Sequence, residues 1–98
     1  MDAVFFIKKE RYENIKNMLL SDDMVSRQSL DFRDNKVLGM ENEGYYLKIS
    51  GSKESIEKAR KIIGSSGKEL IGKEKELILK KINEQENDAV AGFGNIFG

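Results

Sequence analysis

Apolar and polar positions follow one another in segments that predict a mixture of strands and helices. Residues 3–7 form an uninterrupted apolar run, whose length and aromatic content are typical of a buried strand. Residues 10–20 repeat apolar side chains at helical spacing, which predicts an amphipathic helix. Residues 28–33 alternate as a strand does, and residues 37–40 are a candidate return strand after a turn. Residues 45–50 carry the clearest strand pattern in the chain.

Two helices are predicted after that strand. Ser52 is a suitable N-cap for the first of them, and Gly64 is suited to end it. Ser66 and Glu69 have the spacing of a capping box, which predicts that the second helix begins there. The fold class is therefore α+β, with an antiparallel sheet of three to four strands and helices packed on one face. A ferredoxin-like βαββα order with an added C-terminal helix is the leading architecture.

The chain divides into a domain and a short tail. Its 98 residues are enough for one domain, which we place at residues 1–88. Residues 89–98 form an apolar, glycine-rich C-terminal tail. Three side chains of this tail are candidate partner-binding residues: Phe93, Ile96 and Phe97. The tail is expected to close the sheet as an edge strand, to dock in the domain's own groove, or to bind a partner chain.

Composition narrows the chemistry that the chain could perform. It has no cysteine, which excludes disulfides and thiolate zinc sites, and no histidine, the usual general base at neutral pH. Acidic side chains near residues 22, 31 and 84 lack the ligand spacing of a calcium-binding loop. We therefore expect a protein that is not an enzyme and has no catalytic residue, metal or cofactor. The strand-like start and the lack of a long apolar run favour a cytoplasmic location and no membrane contact.

Charge is spread unevenly, although the net charge is zero. Residues 53–81 carry nine basic and five acidic side chains, and this segment includes Ile62-Ile63-Gly64-Ser65-Ser66-Gly67-Lys68-Glu69-Leu70-Ile71. That stretch resembles the hallmark of KH nucleic-acid-binding domains, whose Gly-x-x-Gly loop lies between two helices and clamps a nucleic-acid backbone. The resemblance implies a clamp and nearby phosphate-attracting side chains at Gly64, Ser65, Ser66, Gly67, Lys68, Arg60, Lys61 and Lys73. The alternative is that the loop only ends one helix and caps the next.

A second nucleic-acid hypothesis concerns one face of the strand at residues 45–50. Tyr46 and Lys48 share that face, and an open face would let them stack on bases and neutralise phosphates. The alternative is that Tyr46 belongs to the core or the edge of a half-buried strand.

Three functions stay open after these considerations. The leading hypothesis is a small non-catalytic interaction module that acts through self-association, as a homodimer, or through a protein partner. The second is KH-like binding of single-stranded RNA or DNA through the loop from Gly64 to Gly67. The third is a small-molecule regulatory domain, which rests on analogy with other ferredoxin-like domains.

Overall fold

The computed structural model describes the backbone of residues 1–36, 38–41 and 43–97, and the side chains of those residues as far as Glu86. Within this part of the chain there are four β-strands, three α-helices and three short 3-10 turns. The strands and helices are β1 (Asp2–Lys8), α1 (Tyr12–Ser21), β2 (Ser29–Asp34), β3 (Gly44–Ser50), α2 (Lys53–Ile63), β4 (Gly67–Leu70) and α3 (Gly72–Phe97). The 3-10 turns are Lys9–Arg11, Val25–Arg27 and Gly64–Ser66.

The strands form one antiparallel sheet in the order β2-β3-β1-β4. Leu47 of β3 lies opposite Phe5 of β1 on one side and Phe32 of β2 on the other. Because β1 and β2 are both antiparallel to β3, they run parallel to each other, and α1 connects them. The order β1-α1-β2-β3-α2-β4 with β3 inserted between β1 and β2 is the ferredoxin-like arrangement. The predicted α+β fold class is confirmed.

Helices α1 and α2 cover one face of this sheet. Their inward side chains form a single cluster with the sheet residues Phe5, Ile7, Leu47 and Ile49, and each of these four is at most 2% exposed. The contributing helix residues are Ile15 and Leu19 of α1 and Ile56, Ala59 and Ile63 of α2. Ser52 caps α2 as predicted, since its Oγ accepts a hydrogen bond from the Ser55 backbone N–H at 3.2 Å. This face is the main core of the domain.

Helix α3 covers the opposite face. Val4, Tyr46 and Leu70 pack there against Ile78 and Ile82 of α3, and all five are at most 5% exposed. Alternate residues of a strand point to opposite faces, so the apolar run of β1 needs cover on both sides. The prediction of helices on one face therefore describes α1 and α2, while the added C-terminal helix lies on the other face. Tyr46 lies under α3, so the open stacking face considered for Tyr46 and Lys48 is wrong.

The segment from Gly67 to Leu70 is a strand, not the start of a helix. It pairs with β1, with Lys68 opposite Phe6, and α3 begins only at Gly72. The capping box predicted from Ser66 and Glu69 is therefore wrong. The edge of β1 supplies backbone hydrogen-bond partners for residues 67–70. These residues pair as a strand because that pairing satisfies their backbone groups, although their sequence also fits a helix cap.

Two further predictions concern the β2–β3 connection and the tail. Residues 38–40 form a turn, in which the Leu38 and Met40 amides donate to the Asn35 carbonyl, so a return strand at 37–40 is wrong for the described residues. Val37 lies outside the described residues. The backbone of the tail as far as Phe97 continues α3. The edge strand beside β1 is therefore β4 and not the tail.

Candidate functional site

The predicted clamp loop connects a helix to a strand. Gly64 ends α2 with a φ of +49°, a left-handed conformation that glycine adopts easily. A 3-10 turn follows, and Gly67 then starts β4. The arrangement that the KH resemblance implies, with a helix directly on each side of the loop, is not present here. Nucleic-acid binding by this loop stays a prediction.

Two small residues of this loop have structural roles. A Cβ added to Gly67 would lie 2.4 Å from the Phe6 carbonyl oxygen, so the absence of a side chain allows β4 to approach β1. Ser66 Oγ accepts a hydrogen bond from Arg11 Nε at 3.1 Å, which ties the loop to the start of α1. These contacts account for Gly67 and Ser66 without a ligand.

The basic residues near the loop fall into two groups. Arg60 donates two hydrogen bonds to the Glu69 carboxylate, at 2.7 and 3.0 Å, and this hydrogen-bonded contact raises the pKa of Arg60. Lys68 Nζ lies 3.8 Å from Glu74. Lys61 and Lys73 are exposed, and no ion pair to either is found among the described side chains. Two of the four predicted cations are therefore partly neutralised, which weakens the attraction to phosphate.

An aromatic cluster lies where α1 meets β2 and β3. The rings of Tyr12 and Tyr45 stack with centroids 3.5 Å apart, and Phe32 meets Tyr12 edge-on at 5.9 Å. Lys16 Nζ lies 5.6 Å from the centre of the Tyr12 ring. All four side chains are half-buried. Sequence reasoning placed Tyr45 and Phe32 in strands but missed this stacking, because it requires the packing of α1 against the sheet.

A small cavity opens beside this cluster, at the end of the sheet where β2 and β3 are connected. Its volume is about 40 Å³. The exposed side chains of Lys9, Lys36 and Glu43 line it, together with half-buried Asp34 and Tyr45 and buried Asn35. Asn35 is only 2% exposed, and its Nδ2 has no hydrogen-bond partner among the described residues. Nothing in the sequence pattern predicted this site, because turn residues in a loop are usually exposed.

The edge strand β2 is linked to α3 by a polar network around Arg33. The guanidinium donates to Asp31 at 2.7 and 3.0 Å, to Gln85 Oε1, and to Glu86 Oε1 at 3.2 Å. The hydrogen bond to Asp31 raises the pKa of Arg33. β2 is the edge strand on this side of the sheet. The contacts of Gln85 and Glu86 with Arg33 therefore mean that α3 crosses the sheet and reaches this edge.

Asp22, one of the acidic residues noted in the sequence, has a structural role in a turn. Asp22 Oδ1 accepts hydrogen bonds from the Met24 and Val25 amides at 3.0 and 2.9 Å, as a turn residue does. Among the described side chains there is no group of three or more residues able to hold a metal ion. The side chains of Phe93, Ile96 and Phe97, predicted to bind a partner, lie outside the described residues.

Comparison with known protein families, with curated proteins and with solved structures finds no match for this chain. Among the described residues, no helix is both long enough and apolar enough to cross a membrane.

Proposed function

We propose that the protein is a non-catalytic interaction module, and that two copies associate through the C-terminal part of α3. The observation that carries this proposal is the length of α3 relative to the sheet that it covers. The helix has 26 residues and begins directly after β4, at one edge of the sheet. At Gln85 and Glu86 it already contacts Arg33, on the strand at the opposite edge.

The helix continues beyond the point where its own sheet ends. The backbone of residues 87–97 remains helical, and eleven residues add about 16 Å of helix. A helix of this length exceeds what a four-stranded sheet needs for cover. The extra length is therefore available for a contact outside the domain.

The sequence of this extension repeats the spacing of the part that packs on the sheet. In a continuous α-helix, residues separated by steps of three or four positions fall along one side. The positions that continue this series from the buried isoleucines are Ile78, Ile82, Gln85, Ala89, Phe93 and Ile96. The series stays apolar from position 89 onward, so the extension has the sequence of a helix that packs against protein.

Charge along α3 favours a second copy as the partner. Residues 72–81 contain four lysines and two glutamates, whereas residues 82–97 contain three acidic residues and no basic one. Two copies of α3 side by side in antiparallel orientation would place the basic part of each beside the acidic part of the other. Complementary charges of this kind fix the register of an association, and the zero net charge of the chain leaves no overall repulsion against it.

Sedimentation velocity tests this proposal over a range of protein concentrations. The unaltered chain is expected to sediment as a dimer at high concentration and to dissociate on dilution. Phe93→Asp is expected to remain monomeric, because it places a charge in the apolar series. Asn95→Asp adds the same charge to the same segment outside that series and is the matched control.

Three results bear directly on the proposal. Dimerisation of the unaltered chain and of Asn95→Asp, together with a monomeric Phe93→Asp, would support it. A chain that stays monomeric at all concentrations would contradict self-association. Equal dimerisation of all three proteins would place the contact elsewhere.

A further inference from the structure

The outer edge of β2 has no neighbouring strand among the described residues. The order β2-β3-β1-β4 leaves β2 at one edge of the sheet and β4 at the other. β2 has six residues, whereas β4 has four. A very short edge strand offers little to another chain, and a longer one offers a row of backbone hydrogen-bonding groups. The β2 edge is therefore the place where a further strand could add to the sheet.

The hydrogen-bond pattern shows which backbone groups face this edge. The Asn35 amide donates to Gly44 O at 3.1 Å, and this pair continues the β2–β3 register by one residue. In an antiparallel pair, every second residue directs both of its backbone groups at the neighbouring strand. Counting back from Asn35, the residues that turn their N–H and C=O groups to the outer edge are Asp34, Phe32 and Leu30.

Two apolar side chains of β2 are incompletely covered at this edge. Leu30 and Phe32 pack against the main core but remain half-buried, whereas Leu47, opposite Phe32 on β3, is completely buried. The two positions differ because Leu47 has a strand on each side and Phe32 has one on its inner side only. A strand added beside β2 would bring side chains against the outer side of both residues.

Charge on the other face of β2 selects a second copy of the chain as that strand. Asp31 and Arg33 lie on the face covered by α3, and Arg33 donates to Asp31 at 2.7 and 3.0 Å. A twofold antiparallel pairing centred on Phe32 puts Asp31 of each copy directly opposite Arg33 of the other. Opposite charges in that position stabilise a strand pair.

The other twofold registers are worse. Centring the pairing on Asp31 or Asp34 would oppose two carboxylates, and centring it on Arg33 would oppose two guanidinium groups. Like charges directly opposite each other destabilise a strand pair. A pairing centred one residue before Asp31 would overlap only half of the six-residue strand. The sequence of β2 therefore favours the register centred on Phe32.

We propose that β2 pairs with β2 of a second copy in this register and joins the two four-stranded sheets into one. The inference rests on the proposed self-association and adds a second contact to it. The twofold axis is perpendicular to the sheet, so α3 of both copies lies on the same face and the two helices run in opposite directions. Because α3 crosses the β2 edge at Gln85 and Glu86, each helix continues toward the sheet of the other copy.

Charge reversal on β2 tests the register by sedimentation velocity of the full chain. Asp31→Arg makes the opposed residues of two copies all basic, and Arg33→Asp makes them all acidic. Each variant alone is expected to weaken dimerisation roughly tenfold or more. An equimolar mixture of the two is expected to recover the affinity of the unaltered chain, because each opposed pair then carries opposite charges.

The mixture separates a contact between copies from a contact within one copy. Both variants break the Asp31–Arg33 contact inside the chain, and mixing cannot restore it. Glu57→Arg and Lys61→Asp make the same changes of charge at exposed positions of α2 and are the matched controls. They are expected to dimerise like the unaltered chain, both alone and mixed. No recovery in the β2 mixture, or equal recovery in the control mixture, would overturn the register.

Amide hydrogen exchange of the unaltered chain tests the edge pairing without a substitution. A rise in protein concentration is expected to slow exchange at Leu30, Phe32 and Asp34, whose amides face the edge, far more than at Asp31 and Arg33, which already bond to β3. A chain that dimerises with unchanged exchange at the three edge amides would overturn the edge pairing and leave the association through α3 standing. A chain that stays monomeric would overturn both.

Discussion

The packing of α3 on the sheet makes a quantitative prediction for Ile82→Ala. Ile82 is completely buried in the cluster formed with Val4, Tyr46 and Leu70. The change removes three methyl or methylene groups, each worth about 0.8 kcal/mol, or ~2.4 kcal/mol together. A cavity left between the helix and the sheet adds to this, because substitutions of this type cost about 2–5 kcal/mol in all. We expect a loss of ~3–4 kcal/mol in the free energy of unfolding.

Urea denaturation followed by circular dichroism measures this loss. With a slope of about 1–2 kcal/mol/M, the midpoint should fall by roughly 1.5 M or more. Leu77→Ala is the matched control, since Leu77 is the same kind of apolar residue on the same helix but is 46% exposed. Its midpoint should change by less than about 0.5 M, as surface substitutions usually cost little. Equal effects of the two variants would refute the inference that α3 is part of the core.

Three other predictions follow from single contacts. Gly67→Ala should destabilise the protein by about 1–3 kcal/mol, because the new methyl group would collide with the backbone oxygen of Phe6; a melting temperature equal to that of the unaltered chain would contradict the β4 pairing. Ser50 Oγ donates a 2.6 Å hydrogen bond to the Asp2 carboxylate, and this bond lowers the pKa of Asp2. The stability that the bond adds is present above about pH 4 and is lost as the pH falls through the folded-state pKa of Asp2. Ser50→Ala should therefore cost less than about 1 kcal/mol in urea denaturation at pH 7 and less than that in acid, as the pH falls through the folded-state pKa of Asp2; a cost that does not change with pH would argue against this linkage. Random single-stranded RNA at physiological salt should leave the amide signals of residues 64–68 unshifted, whereas saturable, salt-sensitive shifts there would favour the KH-like hypothesis.

Elements with strong local signals could be predicted from the sequence. The apolar run of β1 and the alternation of β3 each specify a strand, because burial demands that pattern. Helix α2 has a serine cap at Ser52 and a left-handed glycine at Gly64, so both of its ends could be placed. These signals depend on neighbours in the chain and need no knowledge of tertiary contacts.

The strand β4 shows where such reasoning fails. The sequence from Ser66 to Glu69 satisfies a local capping rule, yet Gly67 to Leu70 pairs with β1, about sixty residues earlier in the chain. A pairing partner that distant leaves no local pattern. The small size of Gly67 is what permits the close approach to Phe6, but glycine in a loop has many other uses.

The candidate sites were less predictable than the fold. The tail residues at 93, 96 and 97 were recognised by their apolar character, whereas the reach of α3 across the sheet required the structure. Asn35 resembles an ordinary turn residue in the sequence, and it is distinguished only by its burial and by an Nδ2 that has no hydrogen-bond partner among the described residues. Sites of this kind are created when distant segments enclose a polar group.

The most direct test of association through α3 is a measurement of the distance between two copies. The chain has no cysteine, so Asn83→Cys at an exposed position of α3 can carry a single nitroxide label. Double electron–electron resonance on this protein should show a dipolar modulation between labels on two copies, and the added change Phe93→Asp should abolish it. A decay without modulation at the highest protein concentration measured would contradict association through α3.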